Sequence, residues 1–294
     1  MKHVKRFFAC LVSGVILMSE TSVFTQNADA TTGTRTYWRH DCSSVSSTSY
    51  YSYQLGFNSN LTSSESDRTI FGSNDMVRDY DTSVVRLSCG GSGFIIDEHT
   101  IATAAHCVYS WNGHYFLDDI TIDIVDTDNS VIDTISPTYF HIPYQFTTLT
   151  NTYSSTYDYA LITVAEDLSD YGMFHLAVAQ DSYISNLGSV IVSGFPQASA
   201  YPPGYSGSDY GLRFKAAGNL MNYISSTNIH YDADMSGGDS GGPVYVEEGK
   251  YISGTLYSYK SVIGINVSEN TTYNCGVRIT DDTLRFYYEN DYII

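Results

Sequence analysis

The chain has 294 residues, 43% hydrophobic and 16% charged, with 27 tyrosines and a formal net charge of −18. This length and apolar content support one large packed domain or two small ones and exclude a disordered chain. A surface this acidic repels phosphate backbones, so nucleic acid is excluded as a partner, and the charge fits solubility in an extracellular medium.

In chain order, Lys2, Lys5 and Arg6 precede an apolar run, Phe7–Met18, and then a small-x-small site, Ala28-Asp29-Ala30. That is the pattern of a secretory signal over residues 1–30. The run is shorter than the roughly 20 residues a bilayer span needs, and no later stretch reads as a span, so no membrane partner is expected. Removing the signal takes Cys10 with it. The remaining cysteines, Cys42, Cys89, Cys107 and Cys275, are an even set, which in an exported chain suggests disulfides. Residues 31–68 are rich in Ser, Thr and Tyr with little apolar periodicity. They read as a pro-segment, with a structured extension as the alternative.

From Thr69 the texture changes. Short β-branched runs alternate with Gly, Asn, Asp or Pro: Ser83–Leu87, Gly93–Ile96, Ile120–Val125, Ala160–Val164, Ser189–Val192, Gly242–Val246 and Ser261–Ile265. Each reads as a strand. One short helix is expected at Asp281–Tyr288, with Asp281 and Asp282 as its caps. Helical periodicity is otherwise scarce and no repeat is present. The chain is therefore all-β, and its length fits two antiparallel β-barrels, residues 69–175 and 176–294, joined between Asp167 and Asp181. The acidic stretch Asp118–Asp133 lacks the full pattern of a calcium loop and reads as a solvated hairpin; no metal or cofactor is expected.

Three local motifs carry chemistry. The first is Thr103-Ala104-Ala105-His106-Cys107, preceded by Cys89-Gly90-Gly91-Ser92-Gly93. The second is Asp158-Tyr159-Ala160-Leu161. The third is Gly237-Gly238-Asp239-Ser240-Gly241-Gly242-Pro243. Amide hydrolysis needs a nucleophile, a base, a group that orients the base, and donors for the oxyanion, and these motifs offer all four. Gly238-x-Ser240-x-Gly242 also fits the nucleophile elbow of α/β-hydrolases. That fold requires the order Ser, acid, His and alternating helices, whereas the order here is His, Asp, Ser.

The three motifs resemble those of the chymotrypsin-like serine peptidases. The resemblance implies the chymotrypsin fold, with the active site in the cleft between two barrels. It implies His106 as base, Asp158 as its orienting carboxylate and Ser240 as nucleophile. The N–H groups of Gly238 and Ser240 would form the oxyanion hole. It also implies a Cys89–Cys107 bridge, with Cys42 and Cys275 either paired with each other or separate.

Further stretches, Ile70–Asp75, Tyr231-Asp232, Val262–Ile265 and Tyr273–Thr280, are similar to the bacterial glutamyl endopeptidases, and the likeness runs over roughly residues 69–290. It departs at the specificity pocket. Asn266 stands where those enzymes carry a His, and Met235 where they favour Thr. Asp234 lies six residues before Ser240, where trypsin-like relatives place the carboxylate that pairs a substrate Lys or Arg. The P1 residue stays open between acidic and basic. Cleavage after Arg68 would free Thr69, and trimming to Ile70 would offer an ammonium to Asp239; a bond from Asp239 to local backbone is the alternative. The expectation is a secreted, monomeric serine endopeptidase that matures from a zymogen and acts on protein or peptide substrates. A catalytically silent binding protein and an esterase on the same scaffold are the alternatives.

Overall fold

The structure, a computed structural model, describes residues 34–41, 48–54, 75–149, 153–206, 211–221, 225–252, 255–269 and 272–290. The signal segment, Cys42, Arg68, Thr69 and Ile70 lie outside the described residues.

The chain begins with a hairpin, β1 (Thr34–Asp41) and β2 (Thr48–Gln54), followed by the two-residue β3 (Val77–Arg78). A meander follows: β4 (Val84–Leu87), β5 (Ser92–Asp97) and β6 (Thr100–Thr103). After the small ladder β7 (Tyr109–Ser110) and β8 (Tyr115–Phe116) come β9 (Ile122–Val125), β10 (Val131–Ile135), β11 (Pro137–Pro143) and β12 (Ala160–Val164). The second half holds β13 (His175–Leu176), β14 (Ser189–Gly194), β15 (Phe214–Asn219), β16 (Asn228–Tyr231), β17 (Pro243–Ile252), β18 (Thr255–Glu269) and β19 (Asn274–Arg278). Helices are few: α1 (Tyr144–Thr147), α2 (Asp181–Ile184) and α3 (Asp281–Asn290).

Two large sheets result. The first has nine strands in the order β10-β9-β4-β5-β6-β12-β11-β1-β2. The second has the order β16-β19-β18-β17-β14-β15-β3, with β13 alongside β18. All these pairings are antiparallel except β13 with β18. The expected strands are present, several of them longer than the sequence indicates; β18 runs for 15 residues. Two features shape the sheets further. Within 31–68 the chain forms β1 and β2, as the structured-extension alternative implies, and β1 extends the first sheet by pairing with β11. And β3, early in the chain, crosses to the second sheet by pairing with β15.

The strands hold their faces by burial. Every residue of β12 is buried, as expected for a continuous apolar run in a central strand. One apolar cluster is built on the first sheet around Phe94, Ile101, Leu161 and Ile162, yet it also takes in Tyr245, Val262, Ile265 and Val277 from the second. A second cluster, with Val190, Val192, Phe214, Ile229, Val244 and Ile263, belongs to the second sheet. The halves thus share core residues, which fixes their relative placement. Helix α3 adds to that joint: Phe286 and Tyr287 are buried, Phe286 meets Tyr159 edge-on at 5.0 Å, and the Tyr287 hydroxyl donates to Ala160 O at 3.0 Å. Its cap is not Asp281 or Asp282, as expected, but Thr280, whose Oγ1 accepts the Thr283 N–H at 3.2 Å. The two aspartates occupy the first turn, where negative charge complements the helix dipole.

Candidate active site

Each motif residue sits at the end of a strand, where the backbone leaves the ladder and side chains can turn out of the sheet. His106 lies on the short 3-10 turn Ala105–Cys107 that follows β6. Asp158 caps the turn Ser155–Tyr157 and opens β12, the neighbour of β6. Ser240 lies in the tight turn that leads into β17 of the second sheet. The two sheets thus contribute His106 and Ser240 from opposite sides.

The three side chains form one line of hydrogen bonds. His106 Nδ1 lies 2.6 Å from Asp158 Oδ2, and His106 Nε2 lies 2.7 Å from Ser240 Oγ. The His106 backbone N–H also donates to Asp158 Oδ1 at 2.9 Å, so the carboxylate grips both ring and main chain of the same residue. Asp158 is fully buried, while the imidazole keeps 27% of its surface. A base that is partly open and an orienter that is closed is what proton shuttling to a substrate requires.

The nucleophile loop is fixed from below. The Gly237 carbonyl accepts the Gln197 N–H at 2.7 Å, and the Asp239 carbonyl accepts the Gly242 N–H at 3.1 Å and Asn266 Nδ2 at 2.8 Å. A trans peptide points its N–H opposite to its C=O. With both carbonyls turned into the protein, the N–H groups of Gly238 and Ser240 point the other way. Gly238 has φ +100°, and a Cβ there would lie 2.3 Å from the Phe195 carbonyl oxygen. Gly238→Ala is therefore expected to twist the loop, lowering kcat on a peptide substrate by about 10²-fold or more, the usual effect of losing one oxyanion donor. Steady-state kinetics beside a thermal melt checks this; an unchanged kcat would show that the loop tolerates the side chain.

Ser92 is a site residue whose role the sequence does not reveal. Its N–H donates to Ser240 O at 2.7 Å, its hydroxyl donates to Gly238 O at 2.8 Å and accepts the Phe195 N–H at 2.9 Å. One serine on β5 of the first sheet thus pins the nucleophile loop of the second. The Cys-Gly-Gly-Ser context marks the residue, but its reach across sheets is a tertiary fact. Tyr153 is the other residue the sequence misses: its hydroxyl donates to Asp158 Oδ2 from a position 4% exposed.

The pocket residues are placed differently from one another. Asn266 is fully buried; its Nδ2 holds Asp239 O, its Oδ1 accepts the Tyr231 hydroxyl at 2.8 Å, and its main chain pairs with Gly241 and Gly242. It braces the loop from behind. Met235 is 2% exposed and belongs to the second apolar cluster. Asp234 is 4% exposed, and its Oδ2 accepts the Asp75 N–H at 2.7 Å. Asp239 accepts the Ser236 N–H at 2.8 Å, a local backbone contact, while Ile70, its expected partner, is outside the described residues.

The expected Cys89–Cys107 disulfide is absent, and Cys275 is a thiol, while Cys42, its candidate partner, lies outside the described residues. Cys89 and Cys107 do meet, as a hydrogen bond that lowers the Cys89 pKa, but the Cys107 sulfur is aimed at Ser240 O, 3.6 Å away. Cys275 is buried among Ser155, Ser268 and Asn228, and desolvation raises its pKa to about 11. Among the described residues no group of His, Cys, Asp and Glu is arranged to hold a metal ion.

With this geometry in hand, the likeness to known proteins is specific. The trypsin family profile matches residues 70–280. A glutamyl endopeptidase of Bacillus licheniformis is 25% identical over 227 residues, which cover 73% of this chain and 66% of that protein. The solved structure of a Glu endopeptidase in complex with MPD aligns with a TM-score of 0.61 at 17% identity, covering 75% of this chain and 98% of that one. That level of likeness establishes the fold, the chymotrypsin fold implied by the motifs.

Proposed function

This chain belongs to the trypsin family, and from that premise we propose that it is a secreted serine endopeptidase that cleaves peptide bonds through an acyl-enzyme. The observation that carries the reading is the unbroken line Asp158–His106–Ser240, with contacts of 2.6 and 2.7 Å. As the Ser240 Oγ–carbon bond forms, His106 Nε2 takes the hydroxyl proton and the carbonyl π electrons move onto oxygen. The outward N–H groups of Gly238 and Ser240 stabilise that oxyanion. Collapse breaks the C–N bond, and the imidazolium gives its proton to the leaving amine. Water then repeats the sequence to release the acid and restore Ser240. Export is supported by the signal pattern of residues 1–30.

For the P1 side chain we favour an acidic residue. The name of the Bacillus licheniformis relative supports it. The position of Asp234, six residues before Ser240, favours the second reading, a basic P1. A peptide library differing only at P1 separates them. Glu is expected to exceed Lys in kcat/KM by about tenfold or more. The reverse ratio would assign Asp234 to cation pairing, and cleavage confined to apolar P1 residues would overturn both.

A further inference from the structure

We propose that Tyr153 is a positioning residue of the triad, its phenol holding Asp158 and its ring bracing His106, so that it tunes how readily His106 accepts a proton. The inference rests on the triad reading above. Asp158 is sealed from water, so its acceptor sites must be filled by protein donors. Oδ1 takes the His106 N–H at 2.9 Å, and Oδ2 takes both the His106 ring N–H and the Tyr153 hydroxyl. The same tyrosine ring stands edge-on to His106, centroids 6.4 Å apart at 77°, and is itself held edge-on by Phe146 at 6.4 Å and flanked by Trp111 at 6.1 Å. One side chain therefore touches the orienter with its polar end and the base with its apolar body.

The chemical consequence follows from Oδ2 being shared. A donor on that oxygen draws electron density away from the bond to the imidazole. Without the phenol, the carboxylate acts on His106 alone and favours the imidazolium. Other titratable groups feel the pair but are committed elsewhere. Cys89 senses the His106 charge and bonds to Cys107. Cys275 and Tyr287 sense Asp158, yet Cys275 bonds to Ser155, Ser268 and Asn228, and Tyr287 to Ala160 O.

The test is Tyr153→Phe, which keeps the ring and removes one oxygen, assayed across pH with active sites counted by a serine-directed fluorophosphonate. Per titrated site, kcat is expected to fall roughly tenfold, the scale of one hydrogen bond to a charged group. KM should hold, because so buried a ring offers substrate little surface, and the acid limb of kcat/KM should move to higher pH. Tyr109→Phe is the control. Tyr109 is buried in the same aromatic group, 6.2 Å from Phe146, and its loss of a phenol should leave the acid limb in place. Should Tyr153→Phe not fold, fluorotyrosine installed at position 153 retains the contact, strengthens the donor and should move the limb to lower pH. An unmoved acid limb in either position-153 variant overturns the inference while the triad stands. A wild type that neither hydrolyses peptides nor labels at Ser240 overturns the functional reading itself.

Discussion

Ser240→Ala is expected to lower kcat on a peptide substrate by on the order of 10⁶-fold while leaving the fold and substrate affinity nearly unchanged. The hydroxyl is the only atom lost, and its partner, His106, lies on a side chain that keeps 27% of its surface. The backbone contacts that fix the loop, from Ser92 N–H and the Cys107 thiol to Ser240 O, do not involve that oxygen. A residual acceleration of roughly 10³–10⁴ over water should survive, since the outward N–H groups still polarise a bound carbonyl. Single-turnover kinetics with a chromogenic peptide, beside a thermal melt, reads both effects. Full activity in the variant would place the nucleophile elsewhere and end the acyl-enzyme reading. A wild type that binds peptides without cleaving them would identify a silent binding protein.

Asp158→Asn should cost about 10⁴-fold in kcat at neutral pH. The carboxylate accepts three hydrogen bonds: from the His106 main chain, the His106 ring and Tyr153. An amide is isosteric but half donor. With its oxygen at the Oδ1 position, taken by the His106 main-chain N–H, its NH₂ stands at the Oδ2 position, faces Nδ1 and forces the proton onto Nε2. That tautomer donates to Ser240 and cannot take its proton. The pH–rate profile and a fluorophosphonate labelling rate check it: labelling should slow in step with hydrolysis. Slowed hydrolysis with labelling at the wild-type rate would show that Asp158 serves a later step.

The segments that bring His106, Asp158 and Ser240 together, the residues proposed as base, orienter and nucleophile, were legible because the local geometry around them is demanding. Gly238 needs a positive φ, and Gly241, with φ +83°, leaves no room for a Cβ, which would meet Ser92 O at 2.2 Å. Sequence records such constraints directly. Tyr153 was not legible, because nothing in Tyr-Ser-Ser-Thr-Tyr distinguishes the one ring that turns toward Asp158. Asn266 was legible as a position but not as a role: only the crossing of β18 under the nucleophile loop makes it a brace. The same division runs through the fold. Central strands such as β12 announce themselves by apolar content, whereas β10, exposed at four of its five residues, and β1, added to β11 by main-chain pairing, carry little compositional signal.

His106 lies 52 and 134 residues along the chain from Asp158 and Ser240, its partners in the proposed proton relay. Bringing them together closes a long loop and requires two sheets to have found their mutual register, which is entropically the last thing a polypeptide achieves. A nascent or half-folded chain would therefore carry every chemical group of the proposed hydrolase and none of its reactivity. Ser92, spanning the seam, ties that geometry to the register of β5 and the turn at Ser240, so the reactivity proposed for Ser240 arises only once both sheets are in place.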